Sequence, residues 1–378
     1  MWMKNQTKII IWLIVIVIVI AGIWWGTSRK SIQPPTAEKN VIKIGVLIPL
    51  TGKAANFGKY LKNGIDMAFD DYGKENIKLI YEDEACDPQR AVSAFRKLID
   101  LDKVSVVIGA FCSSCTLAIA PIAEENKVVL ITPGSAAETI SEAGDFIFRN
   151  HIRTSLEMKK LGQFMAENYK NIAIFYDNTN DAMILAEKYL KESIIENEGE
   201  IINSIGFISG QASYYTEILK IKPDLDRINA IHIEALTKDA VIFVKELAEL
   251  GINKQLSFDN VVASKEFIEP LGDLAEGVIF IEPKFNKEDN LAFWTKYEER
   301  YGEFPTVFSV QAYDSFMIVA KIMHNKCGND SICLKKELYK VKDYQGAGGK
   351  ISFDENGDVE KEVIIKTIKN GKFVPYKD

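Results

Sequence analysis

From residue 41 onward, short runs of β-branched and apolar residues alternate with amphipathic stretches, and nothing else in the chain restricts its fold so strongly. The runs lie at 41–50 (VIKIGVLIPL), 78–82, 104–110, 128–132, 172–176, 230–233 and 278–281. An amphipathic stretch at about 58–72 follows the first run. After the second, residues 88–101 put Ala91, Phe95, Leu98 and Ile99 on one helical face. Near-continuous apolar strands alternating with helices imply an α/β fold with parallel sheets covered on both faces. The crossovers are then right-handed, and ligands bind beyond the carboxyl ends of the strands. A chain of 378 residues is long enough for two such units, each with its own core.

Charge is unevenly spread. The net charge of −7 divides into +4 over residues 1–40 and −11 over residues 41–378. An acidic body counts against nucleic acid as a partner, because phosphate contacts need a basic surface. Between Lys8 and Arg29 lie 20 uncharged residues, enough for a helix of about 30 Å, the thickness of a bilayer core. Trp24 and Trp25 suit the interfacial aromatic belt. A cleavable signal peptide would have a shorter apolar region and a small-x-small site, whereas this run ends Gly-Ile-Trp-Trp-Gly. No cysteine precedes Cys86, which excludes a lipoprotein anchor. The expected arrangement is a stub (1–8), a membrane anchor (9–28) and a tether (29–40), with cleavage and release as the alternative.

Several motifs are near misses. The loop Gly52-Lys-Ala-Ala-Asn-Phe-Gly58-Lys59-Tyr60 has five residues between its glycines and a tyrosine after the lysine, so it is not a P-loop. It can still turn into a helix N-terminus, where free N–H groups accept an anion. No Gly-x-Gly-x-x-Gly follows a strand. The cysteines are Cys86, Cys112, Cys115, Cys327 and Cys333. Cys112-Ser-Ser-Cys115 has a redox spacing, zinc would need a second close pair, and a disulfide scheme outside the cytosol leaves one thiol over. His151, His232 and His324 have no neighbours at metal-ligand spacing. Residues 350–353 and 359–368 read as strands of a hairpin over Asn356-Gly357; the acidic loop between them lacks the calcium-site pattern.

Two cysteine segments carry a resemblance. Tyr81-Glu-Asp-Glu-Ala-Cys86-Asp-Pro-Gln89 and Ile108-Gly-Ala-Phe-Cys112-Ser-Ser114 are similar to the branched-chain amino-acid binding proteins, type I periplasmic solute-binding proteins of ABC importers. Pro49-Leu-Thr-Gly52, Ile131-Thr-Pro-Gly-Ser-Ala136, Ala275-Glu-Gly-Val278 and Gln311-Ala-Tyr-Asp314 support it, in order over residues 41–378. The resemblance implies two α/β lobes joined by three crossings, with lobe one at 41–153 plus 284–356 and lobe two at 154–283 plus 357–378. It also implies a Cys86–Cys112 disulfide, which leaves Cys327–Cys333 as a second bridge and Cys115 unpaired.

By the same resemblance, Ser113 and Ala136 would hold a ligand carboxylate, Gly134 would offer a carbonyl to its ammonium group, and Phe57 would cover it. Several positions depart from the family pattern. Ala136 replaces a Thr or Ser, with Ser135 adjoining. Asp181 stands near the place of a tyrosine, Leu236 at that of a second tyrosine close to Glu234, and Asn260 beside Asp259 at that of the acidic residue. Asp181, Glu234 and Asp259 would suit a ligand with extra positive or hydroxyl groups. The implied function is capture of an amino acid or similar small carboxylate outside the cytoplasm by hinge closure, for delivery to an ABC permease. No cofactor, metal or catalysis is implied. A sensory subunit of the same fold is the alternative, and its signal would need a partner chain because only eight residues precede the apolar run.

Overall fold

The computed structural model describes Trp12, residues 14–19 and residues 41–376 except 74, 75 and 286. Trp12 and residues 14–19 are helical and exposed. The expected stub, most of the expected anchor and all of the tether lie outside the described residues. Among the described residues, no helix is long and apolar enough to cross a membrane.

Residues 42–376 gather round two main sheets. The first holds β1 (Ile42–Ile48), β2 (Ile77–Asp83), β3 (Val106–Gly109), β4 (Val129–Thr132) and β5 (Ile147–Arg149), all parallel in the order β2-β1-β3-β4-β5. Every residue of β1 except Lys43 is buried, as a strand covered on both faces requires. The links carry α1 (Ala55–Tyr72), α2 (Pro88–Arg96) and α3 (Ser113–Asn126). A Cβ on Gly58 would stand 1.9 Å from the Pro49 carbonyl oxygen, so α1 can lie this close to the loop after β1 only with glycine there.

The second sheet holds β6 (Asn171–Asp177), β7 (Glu200–Phe207), β8 (Ala230–Glu234), β9 (Gln255–Phe258) and β10 (Ile279–Pro283) in parallel. Its helices include α4 (Thr154–Asn168), α5 (Asp181–Glu196), α6 (Thr237–Glu249) and α7 (Lys265–Leu271). The chain then returns to the first sheet through α8 (Leu291–Tyr301), α9 (Val307–Ile322), α10 (Ser331–Tyr339) and a small hairpin of β11 (Tyr344–Gly346) and β12 (Gly349–Ile351). It closes with β13 (Val363–Lys369) and β14 (Lys372–Pro375), antiparallel on the β10 edge.

Two differences from the sequence reading stand out. The hairpin expected across Asn356-Gly357 shrinks to a single antiparallel bridge, Phe353 to Val359. Residues 363–369 instead satisfy the open edge of β10, and the tight hairpin falls at Asn370-Gly371, both at positive φ, as a two-residue turn demands. The boundaries expected at 153/154 and 283/284 fall in the β5–α4 link and just after β10. Gly357 and Asp358, assigned by the resemblance to lobe two, pair with the first sheet: Arg149 N–H donates to the Gly357 carbonyl at 2.8 Å and its guanidinium binds Asp358. A buried arginine needs that carboxylate. Strands β5, β7 and β9 had no clear sequence signal because they are short, or mixed in polarity as in QLSF.

Candidate functional site

Beyond the carboxyl ends of both sets of parallel strands lies a cleft of about 600 Å³, in the place where open α/β sheets bind ligands. Its first wall comes from the turn after β4 and the start of α3. Ser113 Oγ accepts the Ala136 and Ala137 N–H groups, each at 3.2 Å. The N–H groups of Ser113 and Ser114, in the first turn of α3, have no acceptor among the described residues. This is a platform of aimed donors of the kind that a carboxylate needs when it leaves water. The turn is held from below: Thr132 Oγ1 donates to the Ala110 carbonyl at 2.6 Å and accepts Ser135 N–H at 3.0 Å.

Aromatic rings close this wall. Phe57 stacks on Phe111 at 5.1 Å, and Phe308 meets both rings edge-on at 5.3 Å. Gly134 must be glycine, since a Cβ there would lie 2.4 Å from the Phe111 ring. Thr154, first residue of α4, donates its hydroxyl to the Ala136 carbonyl at 3.1 Å, which ties the platform to the second wall.

The second wall is acidic. Glu157 lies one turn along α4 from Thr154, and its Oε1 accepts Asn260 Nδ2 at 3.0 Å. Asp259 caps a short helical turn by accepting Val261 N–H at 3.0 Å. At the end of β8, Glu234 lies near enough to Asp259 for the two carboxyl groups to perturb each other's proton affinity, and its Oε2 lies 3.1 Å from His232 Nε2. Two carboxyl groups so close resist carrying charge together. Burial drives the same result. It pushes Glu234 up to about 8, and it raises Glu157 and Asp259 well above the usual carboxylate range, where the charge of a neighbouring acid adds to the rise of Glu157 and of Asp259. Burial also lowers His232 to about 4, so the imidazole is neutral; its other nitrogen meets Ser257 Oγ at 2.9 Å.

Of the residues singled out from sequence, Phe57, Ser113, Gly134, Ala136, Asp181, Glu234, Asp259 and Asn260 all line this cleft. Ser135 does not. Its buried hydroxyl is turned inward to Thr116 Oγ1 at 2.8 Å and the Phe111 carbonyl at 2.9 Å, because the turn needs it there. Glu157 was missed: Thr154-Ser-Leu-Glu157 reads locally as an ordinary helix start. His232 was read as an unremarkable histidine, and only the fold sets it behind Glu234.

Disulfides join Cys86 to Cys112 and Cys327 to Cys333, and Cys115 is free and buried. The first bridge fixes the start of α3 to the loop after β2, next to the platform. Glu84 supports it from behind, its Oε1 accepting Phe111 N–H at 2.9 Å and Cys112 N–H at 3.2 Å. Glu84, Cys86 and Cys112 form the one cluster of metal-type ligands among the described residues, but both sulfurs are spent in the disulfide.

Comparison with known proteins decides the class. A model of the periplasmic binding protein family matches residues 41–372. The chain belongs to that family. It is 27% identical over 328 residues to Leu/Ile/Val-binding protein homolog 2 of Brucella abortus, covering 84% of this chain and 87% of the relative. Its fold matches the leucine-binding protein LivK of Thermotoga maritima with a TM-score of 0.82 at 26% identity, over 89% of this chain and 98% of that one. It also matches the branched-chain amino-acid transporter substrate-binding protein LivJ of Streptococcus pneumoniae, solved with isoleucine, with a TM-score of 0.80 at 26% identity over 88% and 97%. This periplasmic binding protein is thus an extracytoplasmic solute-binding protein for ABC transport and not an enzyme. Its two-lobed type I architecture is the one that the resemblance of the two cysteine segments implied.

Proposed function

We propose that this solute-binding protein captures an amino acid, with the ligand carboxylate on the Ser113–Ala136 platform and its ammonium group on the acidic wall. The observation that carries the reading is the pairing of the two walls: donors gathered at Ser113, Ala136 and Ala137 face acceptors gathered at Glu157, Glu234 and Asp259. An amino acid is a zwitterion and brings the complement of each, and a buried charge is tolerable only with such a partner. The carboxylate would take the Ala136 and Ala137 N–H groups from Ser113 Oγ, which then turns to donate. Phe57 and Phe111 would supply the apolar lid.

Capture by hinge closure fits the bonds that cross the cleft. Asn56 Nδ2 donates to Thr237 Oγ1 at 3.3 Å, Lys265 Nζ to the Gly302 carbonyl at 2.6 Å, and Tyr60 OH to Glu266. Each joins a residue on the side of α1 and α8 to one on the side of α6 and α7. A ligand bridging both walls would shift the equilibrium toward this closed arrangement, the form offered to the permease. The uncharged run at 9–28 would tether the protein to the outer face of the membrane, and fractionation of cells into membrane and soluble material tests that part.

The test of the ligand reading is calorimetric titration of the full-length chain with a panel of L-amino acids and with the amides that lack their carboxylate. Ser113→Ala should weaken the best amino acid by about 1–3 kcal/mol, the size of a hydrogen bond to a charged group. Equal binding of an amino acid and its amide, or an unchanged affinity in Ser113→Ala, would remove the platform from the site.

A further inference from the structure

The acidic wall is larger than one ammonium group needs. Among the described residues lining the cleft, Glu157, Asp177, Asp181, Glu234 and Asp259 carry carboxyl groups, and Lys53 is the single lysine or arginine. Asp177 is occupied by the Thr179 amide and hydroxyl, and Asp181 is exposed. Three buried or half-buried acids remain, and they form one connected line. Glu157 bonds Asn260, Asn260 adjoins Asp259, Asp259 lies beside Glu234 at the cleft, and Glu234 meets His232.

Among the described residues, no lysine or arginine forms an ion pair with Glu157, Glu234 or Asp259. Lys366, buried on β13, is taken by Glu282, and Glu282 in turn repels Glu157. His232 is neutral. Glu157 is only 4% exposed and commits a single oxygen to Asn260; its second oxygen has no partner among the described residues. A close pair of carboxyl groups lining the cleft, beside a third with an open oxygen, is a receptor for positive charge.

The order of the groups defines the ligand. Thr154 holds α4 against Ala136, so Glu157 is the acid next to the carboxylate platform, and the Glu234–Asp259 pair lies further along the line. Met158 and Leu236 line the same cleft and offer apolar surface for a methylene chain. Resting on the amino-acid reading above, we propose that the ligand is a diamino acid: its α-ammonium meets Glu157 and Asn260, and a second cationic group on its side chain meets the Glu234–Asp259 pair. When that cation arrives, the proton that burial keeps on the pair becomes superfluous and is released.

The experiment is calorimetry on the full-length chain with L-ornithine, L-lysine, L-arginine, L-norleucine, L-leucine and 1,5-diaminopentane, repeated in buffers of different ionisation enthalpy. The best of the three cationic amino acids should bind about 30-fold or more tighter than norleucine, which has lysine's carbon chain without the second charge. It should also release protons at neutral pH, whereas norleucine should not. Glu234→Gln should reduce the preference for the cationic ligand, and Glu157→Gln, on a different element, should weaken it as well. Leucine or norleucine binding as tightly as the cationic amino acids would overturn this inference and leave the amino-acid reading intact. The bare diamine binding as tightly as lysine would refute the carboxylate platform, and the inference with it, as would no binding by any of the six.

Discussion

Asp358→Asn is the sharpest probe of how the first wall is held. Arg149 is fully buried, and the side chain of Asp358 is 4% exposed. The guanidinium donates from Nε to Asp358 Oδ1 at 2.9 Å and from Nη2 to Oδ2 at 2.7 Å. It also donates to the Ala137 carbonyl and to Ser141 Oγ, both at 2.7 Å. Asn in place of Asp358 keeps the shape and removes the countercharge, which leaves a buried cation without compensation. Two charge-assisted bonds at about 1.5–3 kcal/mol each suggest a loss of about 3–6 kcal/mol, and removing one partner of a buried ion pair costs about 3–5 kcal/mol. The expected loss is therefore about 4 kcal/mol, read from the shift of the urea midpoint followed by far-UV circular dichroism. Because Arg149 also anchors Ala137, whose amide belongs to the platform, hydrogen exchange at residues 136 and 137 should quicken. The double variant Arg149→Met, Asp358→Leu should recover part of the stability, since neither charge then remains. A loss under about 1 kcal/mol for Asp358→Asn would show that water reaches the pair, and the reasoning from burial would fail.

Three further outcomes are expected. Gly58→Ala gains about 1 kcal/mol of helix propensity, but its Cβ would collide with the Pro49 carbonyl oxygen at 1.9 Å; a net loss of about 2 kcal/mol in urea unfolding is expected, and a net gain would mean that α1 is free to slide. Iodoacetamide should label no thiol of the folded, unreduced protein and one per chain in denaturant, because Cys115 is fully buried and burial pushes its thiol far up; rapid labelling in native buffer would contradict that. Protein purified without ligand should lose stability between pH 6.5 and 8. His151 and His232 are held at about 4, so the stability they add as pH rises is complete by 6.5, while Glu84 and Glu234, raised to about 8, stay protonated in the fold and lose their contribution over this window. Glu234 accounts for about 2 kcal/mol of that fall, so Glu234→Gln should flatten the curve of unfolding free energy against pH by that amount, and an unchanged slope would place its titration elsewhere.

Local pattern reached far into the fold. The run at 41–50 announces β1, and the run at 230–233 announces β8, because a strand buried on both faces must be apolar nearly throughout. The platform was reached through the family resemblance of Ile131-Thr-Pro-Gly-Ser-Ala136, whose turn is built by neighbours in sequence. What failed were features whose partner is remote. β7 and β9 are polar enough to pass for loops. The hairpin chosen at Asn356-Gly357 lost to the one at Asn370-Gly371 because only the open edge of β10 decides which segment pairs.

The site divides in the same way. The sequence by itself determined an α/β protein of this family, the cysteine arithmetic, and the donor platform at Ser113 and Ala136. Tertiary structure alone decided that Glu157 from α4, Glu234 from β8 and Asp259 from the turn after β9 meet as one connected acidic wall, and that Ser135 turns inward. An acid on a helix start or a strand end looks solvated when read along the chain. Its proton affinity, and so its preference for a cationic ligand, depends on burial and on the charges beside it, and these exist only once distant segments have packed.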